Sequence, residues 1–323
     1  MRRIFSKRLI LISACLIPAL LFMTITAFLR SNKPVSTPAQ GEKFGATYMT
    51  MNNPFYTIID DEIRAELESK GDTLVSRDPA LDVQKQIEQI EDFIQMHVRG
   101  IFLTPVDVDK LHPVLLEARQ AGIPVVVVDS QVSDQTLMAS TVTSDNYGAG
   151  VLCAQNLLKT RAGGNILILE QQSAQSAKDR IRGFEDTLKG HGTFRVVGRG
   201  DCLGQLEKAM PVMETLLKQA PQPDVVMALN DPSALGAMAA LKDHGLLSKV
   251  LVYGVDGSPE AKGMIEEGNM TATAAQFPSK LGKAAVQQMY AIIGGKPHER
   301  TVTVPVQLVT RENVQDFGTD GWQ

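Results

Sequence analysis

The run Val125-Val126-Val127-Val128 carries apolar side chains at every position, so as a strand it has to be covered on both faces. Four β-branched residues in succession favour extended backbone. Strands buried on both sides belong to parallel sheets flanked by helices. Further strand-like stretches lie at 44–49, 73–76, 100–104 and 124–129, then at 165–170, 195–198, 224–229, 250–255 and 271–275. Helical patterns fill most of the gaps: in 83–96, Val83, Ile87, Ile90 and Ile94 recur three or four residues apart, the spacing of one helix face. Alternation of this kind means βαβ units and an α/β fold with doubly wound parallel sheets. The units are too many for one such sheet, so the chain is read as two lobes. The break falls at 140–146, where a strand-like run meets the helix-starting signal Ser144-Asp145-Asn146.

The first thirty residues are a separate segment. Arg2, Arg3, Lys7 and Arg8 precede an uncharged stretch from Leu9 to Leu29, closed by Arg30. That length exceeds the apolar core of an ordinary signal peptide and approaches what spans a bilayer. The segment is a signal or membrane anchor; Ile12-Ser13-Ala14-Cys15 also resembles a lipoprotein processing site. The basic flank keeps the N-terminus inside and sends the remainder out, a periplasmic or extracytoplasmic location. Residues 31–42, with Pro34 and Pro38, read as a linker. The segment holds five of the 32 basic residues and none of the 36 acidic ones, so the exported body has a net charge of −9. Such a surface repels phosphate backbones and argues against nucleic acid as a partner. Cys153 and Cys202 are read as free thiols.

Polar residues recur where strands end, the place where open α/β sheets bind small ligands. After the first strand comes Asn52-Asn53-Pro54-Phe55-Tyr56, with two amides, a helix-starting proline and two rings. Later strand ends carry Thr104-Pro105, Asp129-Ser130, Asn230-Asp231, Asp256-Gly257 and Gln276, and Arg180 can turn inward from the first turn of a helix. Carboxylates accept from sugar hydroxyls, Arg and Asn donate to them, and rings cover a sugar's C–H face. Each residue also has a plain structural explanation. Asp231 and Asp145 read mainly as helix caps, Asp256-Gly257 as a possible simple turn, and Arg182 as a solvated side chain.

From about residue 43 to 309 the chain resembles the ribose-type periplasmic sugar-binding proteins of bacterial ABC importers. The matching stretches are Met51 to Tyr56, Val127-Val128-Asp129-Ser130, Ser144-Asp145-Asn146, Arg180 through Gly183-Phe184, Asn230 to Gly236, Gly254-Val255-Asp256-Gly257 and Ala275-Gln276-Phe277-Pro278. The resemblance implies two Rossmann-like lobes joined by three crossovers, near 141–144, 255–258 and 275–279. The implied lobes are 43–143 plus 277–305, and 144–276 plus 306–316, with 317–323 as a tail. The implied ligand contacts are Asn53, Phe55, Tyr56, Asp129, Arg180, Asn230, Asp256 and Gln276, with Thr104 and Ser130 at two further contact positions. Those last two depart from the family's ribose binders, which carry Asn and Arg there. The aromatic that closes the sugar's other face in ribose binders has no counterpart, since Asp201-Cys202-Leu203-Gly204 occupies that region. A different pentose, a hexose, a deoxysugar or a sugar alcohol fits what remains.

The resulting expectation is a monomeric, non-enzymatic binding protein that closes on a sugar or polyol and delivers it to an ABC permease. The alternative is a sensory protein presenting its closed form to a membrane receptor or kinase. An enzyme finds little support: the five histidines are dispersed, and no phosphate-cradling glycine loop, cofactor motif or metal-ligand spacing is present. Asp129 and Asp256 could form a glycosidase pair, but both match positions where the family binds sugar without chemistry. A sugar-responsive repressor would need a DNA-binding domain where this chain has its apolar segment.

Overall fold

A computed structural model describes residues 41–323; the predicted leader and nearly all of the linker, with Cys15, lie outside the described residues. The first lobe begins with β1 (Lys43–Thr47), α1 (Pro54–Glu68), β2 (Thr73–Arg77), α2 (Val83–Gln95), β3 (Ile101–Leu103), α3 (His112–Gln120), β4 (Val125–Val128) and β5 (Ser140–Ser144). The second continues with α4 (Asn146–Thr160), β6 (Gly164–Glu170), α5 (Gln175–Leu188), β7 (Phe194–Asp201), α6 (Leu206–Gln219) and β8 (Val225–Ala228). It then runs through α7 (Asp231–Asp243), β9 (Leu251–Asp256), α8 (Pro259–Glu266) and β10 (Ala272–Ala275). The chain returns to the first lobe for α9 (Pro278–Ile293) and β11 (Thr301–Val304), and ends in the second with β12 (Gln307–Thr310) and α10 (Val314–Phe317).

Each lobe holds one six-stranded sheet, in the orders β11-β5-β4-β3-β1-β2 and β12-β10-β9-β8-β6-β7. All pairings are parallel except β12 with β10. The valine run behaves as its composition requires. Val125 and Val127 pack with Ile90, Phe93, Val114 and Leu115 of α2 and α3. Val126 and Val128 face the other way, into the cluster that holds Ile59 and Ile63 of α1 and Leu281 and Met289 of α9. Strand β6 divides likewise: Ile166 and Ile168 lie with Leu157 of α4 and Phe184 of α5, Leu167 and Leu169 with Met213 of α6 and Leu241 of α7. Helices therefore cover both faces of both sheets.

The chain crosses between lobes three times: from Ser144 to Asn146, from Ala275 to Pro278, and from Val304 to Gln307. The expectation of a crossing at 255–258 is corrected. That segment joins β9 to α8 and leads on to β10, which pairs in parallel with β9. The implied lobe bounds put a crossing at 305/306, but no strand is read on either side of it, because β11 and β12 are four-residue edge strands, half exposed, without the apolar run that marks an interior strand. Strand β7 is likewise longer than 195–198, an exposed edge whose register shifts opposite Ile166 and Leu167. Among the described residues, no helix is long and apolar enough to cross a membrane.

Candidate functional site

Five of the predicted site residues meet in one buried network between the lobes. Asp129 follows β4, Asp256 ends β9, Gln276 follows β10, Tyr56 lies in the first turn of α1 and Arg180 in the second turn of α5. All five are 6% exposed or less. The guanidinium of Arg180 lies 3.6 Å from Asp256 Oδ1 and 3.8 Å from Asp129 Oδ1. Gln276 Nε2 donates to Asp256 Oδ1 at 2.8 Å, and the Tyr56 hydroxyl to Asp129 Oδ2 at 3.2 Å. Among the described residues, three buried acceptors, Asp129 Oδ1, Asp256 Oδ2 and Gln276 Oε1, have no hydrogen-bond donor.

Arg180 is held from several sides. Its Nε donates to Asn146 Oδ1 at 2.8 Å and Nη1 to the Leu229 carbonyl at 3.0 Å. Its helix is pressed against α4 at paired glycines: a Cβ on Gly150 would lie 1.9 Å from the Arg180 carbonyl oxygen, and one on Gly183 2.1 Å from that of Tyr147. Asn146 was legible in the sequence only as part of a cap signal; its contact with Arg180 was not. The guanidinium approaches from the second turn, not the first, because α5 starts at Gln175.

Burial pushes the carboxyls of Asp129 and Asp256 above the ordinary range, against the opposing pull of Arg180; repulsion from Asp231 and Asp129 raises Asp256 further. Burial is also the main reason the Tyr56 hydroxyl is shifted upward, keeping it a donor. Both site aspartates have left-handed backbone, φ +70° at Asp129 and +144° at Asp256. Such strain costs of order 1–3 kcal/mol and clusters at functional sites.

The remaining predicted residues lie around this network without side-chain hydrogen bonds into it. Asn53 caps α1, accepting from the Phe55 N–H at 3.0 Å, and Pro54 opens that helix. Phe55 meets Tyr56 edge-on with ring centroids 5.5 Å apart. Ser130 Oγ accepts from the Ser176 N–H across the lobes at 3.3 Å. Thr104 turns its hydroxyl to the Val128 carbonyl at 3.0 Å, inside the first lobe. Asn230 caps α7 through the Ser233 N–H and donates to the Gly204 carbonyl, both at 3.0 Å.

Asp231 is corrected from cap to interior bridge: it accepts from Ser258 N–H and Thr273 Oγ1, and burial lifts its carboxyl to about 6. Asp145 does cap α4, and Arg182 is solvated beside Asp179. Cys153 and Cys202 are both free and buried. A cavity of about 350 Å³ between the lobes is bounded by Asn53, Gly204 and Ser258; none of the five network residues lines it.

Other bonds also tie the lobes together. Asn52 Nδ2 donates to Gln205 Oε1 at 2.9 Å and Val108 N–H to the Ser173 carbonyl at 3.1 Å. The structure is thus a closed arrangement.

Two parallel-sheet lobes, three crossings and a buried polar network between them define a two-lobed solute-binding protein. Comparison with known proteins agrees. Residues 44–297 match the model of the periplasmic binding protein domain, and the chain belongs to that family, in its ribose-type branch. The ribose import binding protein RbsB of Bacillus subtilis is 31% identical over 83% of this chain and 87% of its own length. An ABC transporter solute-binding protein of Mycobacterium smegmatis, solved with glycerol, superimposes with a TM-score of 0.82 at 32% identity, covering 87% of this chain and 99% of that one. One from Bacillus halodurans, solved with myo-inositol, gives 0.80 at 26%, covering 87% and 99%. These relatives are binding proteins, which bears out the expectation of a binder in place of an enzyme.

Proposed function

We propose that this protein captures a neutral monosaccharide or related polyol between its lobes and delivers it to an ABC import permease. The observation that carries the reading is the set of unpartnered buried acceptors, Asp129 Oδ1, Asp256 Oδ2 and Gln276 Oε1, around one buried guanidinium. Buried acceptors without donors cost free energy. A ligand rich in hydroxyls relieves that cost by donating to them while it accepts from Arg180. Two carboxylates against one guanidinium disfavour phosphorylated sugars and sugar acids. Ser130, short and uncharged, leaves room where a ribose binder has an arginine, which favours a hexose, cyclitol or sugar alcohol over ribose.

Asn53, Phe55, Asn230 and Thr104 frame this site in the proposal, with the rings covering the ligand's apolar face. Ligand holds the lobes shut because only the closed form engages groups from both. The named relatives favour import over sensing, since one is a ribose import binding protein and the other two are ABC transporter solute-binding proteins. Export by the basic-flanked leader, acting as a signal or as a membrane anchor, and action as a monomer complete the proposal. Thermal melting of the purified protein against pentoses, hexoses, cyclitols, sugar alcohols and sugar phosphates tests it. A saturable rise with a neutral polyol supports it; a rise with sugar phosphates alone contradicts it.

A further inference from the structure

Residues 321–323 are anchored in the second lobe and reach the first. Lys262 Nζ donates to the Gly321 carbonyl at 2.7 Å and to Gln323 Oε1 at 3.1 Å. Gln323 Nε2 donates to the carbonyls of Asp256, at 3.1 Å, and Gln276, at 2.8 Å, so it grips the backbone of two residues of the buried network. Glycine at 257, with φ +73°, leaves the room: a Cβ there would stand 2.4 Å from Gln323 Nε2. Between these anchors Trp322 extends to Phe55 of the first lobe, ring centroids 5.8 Å apart. The indole is half-buried and lines the cavity with Asn53 and Pro54 from one lobe and Gly204, Pro232 and Leu235 from the other. Ser258, two residues beyond Asp256, lines the same cavity, as does Gly204 from the 201–204 stretch that supplies no aromatic ring.

We propose that Trp322 is a specificity-determining wall of the ligand site, brought over the ligand by lobe closure. The inference rests on the reading of the site given above. An indole presents a flat apolar face to ligand C–H groups and a single N–H donor at its edge. Its anchors ride on the backbone of Asp256 and Gln276, so the wall moves with the second lobe and meets Phe55 only when the lobes close.

Trp322 is the sole tryptophan of the chain, so its emission reports on this position alone. The experiment titrates the full-length protein with the polyol that gives the largest melting shift, following indole emission and calorimetric affinity in wild type, Trp322→Ala and Trp322→Phe. Emission should change saturably with the calorimetric Kd. Trp322→Ala should weaken binding about tenfold or more, while Trp322→Phe stays within about threefold of wild type. Melting without ligand checks that both variants fold; if the alanine variant does not, emission and the phenylalanine variant decide. A melting shift with unchanged emission, or wild-type affinity in Trp322→Ala, overturns this inference and leaves the site reading intact. No melting response to any polyol overturns both.

Discussion

Asn146 accepts the Nε proton of Arg180 at 2.8 Å, and Asn146 is the first residue beyond the first crossing between the lobes. Its amide nitrogen donates to Thr143 Oγ1 at 3.0 Å, on β5 of the first lobe. The site's guanidinium is thus positioned by the hinge. One amide side chain links Arg180 to β5 of the first lobe, beside the ion pair of Arg180 with Asp129.

Replacing Asn146 with alanine removes that support without removing a charged site residue. A hydrogen bond to a charged group contributes about 1.5–3 kcal/mol, so affinity should fall about tenfold to a hundredfold. Calorimetric titration beside a melting curve separates this loss from unfolding. Wild-type affinity in Asn146→Ala would show that Arg180 needs no hinge support.

The close approach of α4 and α5 predicts a second loss from a distance. In Gly150→Ala the new methyl would lie 1.9 Å from the Arg180 carbonyl, against backbone that cannot yield like a flexible side chain. Overpacking of this kind costs about 1–3 kcal/mol and should push α5, with Arg180, away from its partners. Both a lower melting temperature and weaker binding are expected. Gly192→Ala, where a Cβ meets nothing within 4 Å, is the matched control.

Asp256 combines left-handed backbone, burial and an unpartnered oxygen. Glycine adopts φ +144° without strain and carries no carboxylate. Asp256→Gly should therefore raise the melting temperature of the unliganded protein by about 2–4 °C while weakening ligand binding at least tenfold, by about 1.4 kcal/mol or more. Differential scanning calorimetry with and without ligand reads both effects. A drop in both would mean that the side chain supports the fold.

The raised carboxyls give the pH dependence a sign. Hydroxyl donors from a ligand favour the ionised forms of Asp129 and Asp256 and lower their pKa in the complex, so binding releases protons. Affinity should rise with pH between the values of the complex and of the free protein, and level off above. Unliganded stability has the opposite slope. Asp231, lifted to about 6, keeps its proton in the folded protein where the unfolded chain has lost it, so stability falls as pH rises towards that value. Titrations at about pH 5 and about pH 7 in buffers of different ionisation enthalpy measure the proton release. Tighter binding at the acidic end would contradict the assignment.

What the sequence could show followed how local each signal is. Valines 125–128 and the 83–96 periodicity lie within single elements, and both elements form as the pattern requires. Asp129, Asp256 and Gln276 were legible because strand ends are visible as places where an apolar run stops. Asp231 was misread because the cap signal fits two adjacent residues, and Asn230 takes the role. Edge strands β11 and β12 lacked the apolar run that would have exposed them as strands. Trp322 and Asn146 reach the site by contacts across the chain that no local pattern encodes.

In the proposed function a neutral polyol is held by the charged network between the lobes. Calorimetric titration of wild type and Arg180→Ala with the polyol selected by melting tests it most directly. Loss of at least tenfold in affinity, about 1.4 kcal/mol, in a variant that still melts cooperatively is the predicted result. Equal affinity in the two proteins would place the ligand elsewhere and contradict the account.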